Sequence, residues 1–465
     1  MRFWVVAFTV LSVVARPVSG ETPVAPPEDG QDQSSSTEEQ KSCPDGKEKC
    51  NPRKKDCCSK DDKGKECKEK APPAGYFRIP GTVADARVWT SVRMQIIHDI
   101  NNAIEYGAGY DCMHVASILI KKINRSMTRF HMKETRFGVE GRIPATWNGA
   151  DSLASFFLEG DLYGAQNVIG GENTTNQALL RVRHAYVRWG PLLVGQYWGA
   201  FCDHDAFVDV VDFAPPVGGV SLRSPQIRYT SVFGNVAVAA TLENPEGEYL
   251  DVNGKAHFTK INRYFFDKDE GSNLAVDRIP DLGLSVVLNQ HDGGHMSFRS
   301  SFRQWSTRTT GGKKSSVIGI IAGAGGVFKV FGRDEINAQV NGGRGVGRYL
   351  FEVSGTGAFL DKEGELRAQP AVGGMLAYKH FWTRTLYSVL AGGYIHITNH
   401  SDLRQVATTT PVNKELFSAS ANVHWHPPGL ENMRIGAEYL WGMRKTEKNG
   451  TGNLSRVMIG VKADL

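Results

Sequence analysis

Beyond its first fifteen residues the chain has no long apolar run. The longest later stretch, around Val317 to Val327, is broken by glycines and falls short of the roughly 18 consecutive apolar residues that a spanning helix needs. A helical membrane anchor is therefore excluded for the body of the chain. Charge of one sign is also scarce: a formal net charge of +5 on 465 residues is too mild to argue for a nucleic-acid partner. Catalytic signatures are missing too. No GxSxG occurs, and serines near histidines are scattered along loops, so no nucleophile–base set and no enzyme is read. No CxxC pair exists, and with it the simplest zinc site is gone. No cofactor is implied.

What is present begins with an export signal. Met1-Arg2 precede an apolar run from Phe3 to Ala15, and Val18-Ser19-Gly20 offers small residues for cleavage. This predicts a secretory signal peptide over residues 1–20, with Glu21 as mature start. Residues 21–73 then turn Pro, Ser and acid rich, afterwards Lys rich, with Cys43, Cys50, Cys57, Cys58 and Cys67. So few large apolar residues cannot offset the entropy of ordering, and a disordered periplasmic lead-in is expected. Five cysteines in an oxidising compartment read as disulfides with one thiol over.

From Ala74 onward the pattern has period two. Val88, Thr90, Val92, Met94 and Ile96 alternate with Arg87, Ser91, Arg93 and Gln95. Near the end, Ile435, Ala437, Tyr439 and Trp441 alternate with Arg434 and Glu438. Such strands have one apolar and one wet face. Since Lys or Arg at a bilayer midplane costs roughly 2–4 kcal/mol, the charged face must line a polar interior. The mean hydropathy of −0.31 and the 51 glycines suit a barrel, in which only alternate residues meet lipid.

Connection lengths point the same way. Long links near Asn102–Phe130, Ala165–Gln177, Gly199–Ser224, Asn244–Pro280, Asn399–Lys414 and Lys445–Asn453 alternate with short ones at Pro144–Asp151, Gly190-Pro191, Phe233–Asn235, His291–Gly294 and Pro427–Leu430. Long outer loops and short periplasmic turns are the asymmetry of outer-membrane barrels. The expected fold is all-β: a transmembrane antiparallel barrel over residues 74–465, with about 16 strands (14 or 18 also open, because Val317 to Leu366 is hard to divide). A barrel of that size leaves an aqueous lumen.

Several segments in fixed order then carry a resemblance: GYFRIPGT from Gly75, RFGVEGRIP from Arg136, FFLEGDLYG from Phe156, LLRVRHAYVRWG from Leu179, LLVGQYWGAFCDHDAFVDVVDF from Leu192 and RSPQIRYT from Arg223, with EYLWGMRK from Glu438 near the end. Together they resemble the DcaP-like family of trimeric outer-membrane porins. The resemblance implies a homotrimer of water-filled barrels in the bacterial outer membrane, passing small, often anionic solutes such as dicarboxylates, with the third loop folded inward to narrow each pore. The family's periplasmic coiled coil is not matched, because residues 21–73 lack heptads.

Within that frame Arg136, Arg142, Arg181, Arg183 and Arg228 form a basic ladder on the wall, and Asp203, Asp205, Asp209 and Asp212 on the third long loop an opposing acidic side. Charged rings of this kind tune pores. The alternative is that the arginines pair with Glu159 and Asp161 and hold the wall together. The loop aspartates lack EF-hand spacing, and no metal is assigned. Cys112 and Cys202 read either as a disulfide or as two separate thiols. His424 and His426 read as lumen lining or as a metal pair without a third ligand. Most tryptophans read as interfacial girdle. The function expected is passive diffusion of small hydrophilic solutes; the alternative is a surface adhesin or antigen whose long loops bind host molecules.

Overall fold

A computed structural model describes residues 71–102, 111–121, 123–164, 178–258, 274–275, 278–308, 313–353, 355–407 and 411–465. The signal peptide, the five clustered cysteines and nearly all of the lead-in lie outside the described residues.

The period-two segments form a closed antiparallel barrel of 16 strands. In chain order these are β1 (Asp85–Asp99), β2 (Arg136–Trp147, preceded by an upper segment Met127–His131), β3 (Ala150–Asp161), β4 (Arg181–Trp189), β5 (Leu192–Trp198), β6 (Arg223–Phe233), β7 (Val236–Glu243) and β8 (Asp281–Asn289). The second half comprises β9 (His295–Arg308), β10 (Lys314–Val330), β11 (Asp334–Arg344), β12 (Pro370–Phe381), β13 (Leu386–Ile397), β14 (Asn413–Trp425), β15 (Met433–Thr446) and β16 (Thr451–Asp464). Each strand pairs with the next, and β1 closes the ring on β16 through Ser91↔Asp464 to Asp99↔Arg456. Closure leaves no unpaired edge in the hydrocarbon, which is why a barrel can span where an open sheet cannot.

Turn chemistry sets one rim. Asn148 and Gly149, at φ of 49° and 80°, make the two-residue link between β2 and β3, with both residues in the positive-φ region that a type I′ hairpin requires. The remaining turns on this rim are also short, the longest being residues 426–432. The opposite rim carries the links 100–126 (L1), 162–180 (L2), 199–222 (L3), 244–280 (L4), 309–313 (L5), 345–369 (L6), 398–412 (L7) and 447–450 (L8). L8 is shorter than the sequence suggests, because β15 and β16 continue to Thr446 and from Thr451. The difficult region resolves into β10, a three-residue turn, β11 and L6.

Outward positions such as Val88, Phe137, Leu158, Val187, Ile227, Phe302, Ile320 and Leu390 are exposed. They form the apolar belt that meets lipid. Two tryptophans depart from the girdle reading. Trp89 faces inward and stacks near Phe157, with ring centroids 6.4 Å apart. Trp198 is buried. Trp189, Trp382 and Trp425 remain exposed.

Three loops, rather than the third alone, fold into the barrel. Met113, Val115 and Ile118 of L1, Phe201, Val217 and Val220 of L3, and Tyr349, Leu350 and Val353 of L6 share one buried apolar cluster with wall residues such as Leu416 and Leu440. Glu352 of L6 accepts hydrogen bonds from the Val115 and Ala116 amides at 3.0 and 2.9 Å. Val220 of L3 bridges to Leu350 of L6. Segments 248–250 and 256–258 of L4 and 358–360 and 366–368 of L6 also form a separate four-stranded sheet.

Candidate functional site

The wall from β1 to β6 carries the arginines, and their spacing depends on one irregularity. Glu159 of β3 opposes His184 while Gly160 opposes Val182, so Arg183 is an extra residue in β4. This bulge puts Arg183 and His184 both on the buried side and inverts the alternation beyond them. Tyr186 and Arg188 thus turn inward, while Val187 faces out opposite Val194. Strict alternation from Arg181 would have sent Arg188 into lipid and Ala185 into the lumen, so Arg188 was missed.

Arg181 and Arg183 are committed to the wall. The Arg181 Nε and Nη2 donate to Asp161 at 2.9 and 2.6 Å. Arg183 donates to Glu159 and, at 3.0 Å, to Asp161. The geometry of these two is that of the wall-holding alternative. Arg136 lies in register with Asp161 and Arg142 with Ser155, and Arg142 Nε donates to Glu140 at 3.0 Å. By contrast, among the described residues no carboxylate lies within ion-pair distance of Arg188, Arg223 or Arg228. Their guanidiniums stand over rings instead: Arg223 over Trp198 at 3.9 Å, Arg228 over Tyr197 at 5.7 Å and Arg188 over Tyr186 at 5.9 Å. Such stacking orients a guanidinium and leaves donors available, although Arg228 Nη1 also donates to the Trp198 carbonyl at 3.4 Å.

L3 crosses the interior and is tied to the other wall. Asp203 accepts from the His295 ring at 2.9 Å and from Ser297. Asp209 accepts from Lys379 at 2.7 Å and Arg434 at 3.0 Å. Asp212 accepts from the Met113 and Ala214 amides, both at 2.9 Å, and from Arg456 at 3.2 Å. Backbone contacts run alongside: Asn337 and Asn341 of β11 donate to the Phe207 and Gly218 carbonyls, Ser418 of β14 accepts from Val217, Glu438 of β15 accepts from Val211 and Gln95 of β1 donates to the Val211 carbonyl. The approach is close. A Cβ on Gly393 would stand 1.7 Å from the Val217 carbonyl oxygen, so only glycine fits there.

Burial and charge explain the protonation of these aspartates. Burial alone would raise the Asp203 pKa, but the hydrogen bond and charge of His295 outweigh it and bring it to about 2. Burial also acts upward on Asp209, yet Lys379 and Arg434 hold it well below the usual carboxylate range. At Asp212 burial prevails over Arg456, and the pKa is raised. Only Asp205 keeps an open carboxylate, its side chain 41% exposed and 3.3 Å from the His204 ring. The four aspartates therefore do not form an acidic side facing the arginines. Three of them anchor L3.

No disulfide joins Cys112 and Cys202; both thiols are free and buried. This corrects the paired reading, and their surroundings explain it. Cys202 donates to the Val220 carbonyl at 3.4 Å within L3, whereas Cys112 sits in L1 one residue from the Met113 amide that binds Asp212. Burial pushes the Cys202 thiol up to about 12 and Cys112 higher still. His424 is buried and stacks on Tyr387 at 4.9 Å. Among the described residues no three His, Cys, Asp or Glu side chains gather as metal ligands.

The stretch that builds the basic wall and L3 is also the one with a family likeness. Residues 135–274 match the DcaP outer membrane protein family. The crystal structure of the outer membrane channel DcaP of Acinetobacter baumannii superposes with a TM-score of 0.68 at 20% identity, over 84% of this chain and 99% of that one. An anion-selective porin from Comamonas acidovorans superposes with a TM-score of 0.51 at 11% identity, over 82% and 100%. No curated protein matches the chain. The resemblance to DcaP drawn from the motifs is thus met in sequence over residues 135–274 and in fold over most of the chain, and the molecule is an outer-membrane barrel with the architecture of a porin.

Proposed function

We propose that this chain is a passive porin through which small hydrophilic anions, dicarboxylates among them, diffuse between L3 and the β1–β6 wall. One observation carries the reading: among the described residues Arg188, Arg223 and Arg228 have no carboxylate within ion-pair distance, while Asp203, Asp209 and Asp212 of L3 are bound by His295, by Lys379 and Arg434, and by Arg456. A guanidinium stays charged across the physiological range, so the passage keeps a positive field at any pH the cell meets. Its depth is set by ionic strength, since the screening length of about 10 Å at 0.1 M shortens to about 3 Å at 1 M. Carboxylates suit such a lining because a guanidinium offers them two parallel hydrogen bonds.

The same proposal includes export by the signal peptide of residues 1–20, a periplasmic lead-in over 21–73, and assembly as a homotrimer in outer-membrane lipid, as the family resemblance implies. The test is the reversal potential of the detergent-purified protein in a planar bilayer under a salt gradient. Discrete steps with an anion-selective potential support the reading; a cation-selective potential overturns it.

A further inference from the structure

The motif GYFRIPGT precedes the barrel and has no part in the constriction by L3, yet its tyrosine sits inside. Phe77 and Arg78 pair with Ala86 and Asp85, continuing the sheet along β1 at the periplasmic rim, and Arg78 Nε donates to Asp85 at 2.6 Å. By the alternation of that short strand Phe77 faces out, where it is exposed, and Tyr76 faces in. A tight turn, with the Tyr76 amide donating to the Pro73 carbonyl at 3.0 Å and Gly75 at φ of 77°, delivers the ring to the lumen. There the Arg142 guanidinium stands 4.3 Å from the ring centroid and that of Arg87 5.5 Å away. Both arginines also hold Glu140, at 3.0 and 3.2 Å.

We infer that Tyr76 is a further selectivity-determining residue of the pore, a ring that covers the Arg87–Glu140–Arg142 group at the periplasmic mouth. Two guanidiniums and one carboxylate leave that group with an excess positive charge, and the ring shields it from solutes passing the exit. The ring also takes up space that the L3 constriction does not control. This inference rests on the anion-pore reading and adds to it a narrowing built from the segment before β1.

The experiment compares wild type, Tyr76→Ala, Tyr76→Phe and Tyr76→Leu in planar bilayers, with heat-modifiable mobility on SDS gels as the check of barrel assembly. Tyr76→Ala is expected to raise single-channel conductance. It should also increase the anion-to-cation permeability ratio about twofold, the scale of one exposed guanidinium–ring contact. Tyr76→Phe, which keeps the ring, should match wild type. Tyr76→Leu, which keeps bulk and supports packing where alanine does not, should raise the ratio with little change in conductance. An anion-selective wild type with all three variants unchanged would overturn the role of Tyr76 and leave the pore reading intact. A phenylalanine variant that behaves like the alanine variant would equally overturn it, because the ring would then not be the agent. A cation-selective or silent wild type would overturn both.

Discussion

On the wall from β4 to β6, Arg188, Arg223 and Arg228 stack on aromatic rings and have no carboxylate within ion-pair reach. On the wall from β9 round to β1, Arg434 is paired with Asp209, and Arg456 with Asp99 and Asp212. The side chains are the same in kind and both sets face the interior. Their roles differ because of what lies opposite. Where a loop supplies carboxylates, the arginine is neutralised and becomes an anchor; where only rings flank it, its charge and donors stay available to a solute. A charged residue on the inner face of a barrel is thus assigned by its partner, and alternation alone does not supply the partner.

Four measurements would break or sharpen this contrast. The largest effect is expected from Arg456→Ala on the anchoring side, which leaves the buried Asp212 without its cation and removes one of the two, Arg129 being the other, that Asp99 holds. Breaking a buried pair in this way costs about 3–5 kcal/mol, and denaturant unfolding in detergent, followed by tryptophan fluorescence, should show it. Asp209→Asn removes the charge that binds Lys379 and Arg434 but keeps the shape. L3 should loosen by about 2 kcal/mol, the value of a charge-assisted hydrogen bond; faster proteolytic cleavage within 203–212 and a noisier, larger conductance would report it.

On the open side the expectation reverses, with selectivity changed and stability kept. A unit charge at about 4 Å in water is worth about 1 kcal/mol. Arg188→Ala and Arg228→Ala should therefore each lower the anion-to-cation permeability ratio about fivefold while assembly is unaffected. Arg181→Ala should instead destabilise the barrel, because it strips a donor from Asp161, which is fully buried. Equal effects of Arg181 and Arg228 on the reversal potential would dissolve the distinction between carboxylate-paired and ring-flanked arginines.

The smallest effect is a response to acid. The Asp203 pKa is depressed from 3.8 to about 2, so its anchor to His295 and Ser297 is fully present above the ordinary carboxylate value. It is lost as pH falls from about 4 through 2. Conductance recorded in stepped acid should change over that window; an unchanged conductance between about pH 4 and 2 would remove the Asp203 anchor from the control of L3.

Much of this architecture was legible along the chain. Period-two alternation picked out the lumen face of β1 and β15 correctly, because a charge cannot be left in lipid. Long and short links found both rims, with L8 overestimated since strand pairing above the membrane plane needs no apolar pattern. The inward course of L3 came from the family resemblance. The inward folding of L1 and L6 had no such signal: their apolar residues are too few and irregularly spaced to reveal a shared cluster. Arg188 was missed because a single inserted residue, Arg183, reverses the parity of β4. His295, Lys379, Arg434 and Arg456 were missed as anchors because each lies between 92 and 244 positions from the aspartate it binds.

The sequence by itself determined that the chain is a barrel, which faces of its strands meet lipid, and that its interior is lined with charge. These follow from one-dimensional patterns, since the cost of placing charge in hydrocarbon acts on every residue alone. Only the tertiary structure decided which of those charges remain available. Pairing joins residues remote in sequence, and a bulge or a glycine that admits a carbonyl fixes which guanidinium meets a carboxylate and which meets a ring.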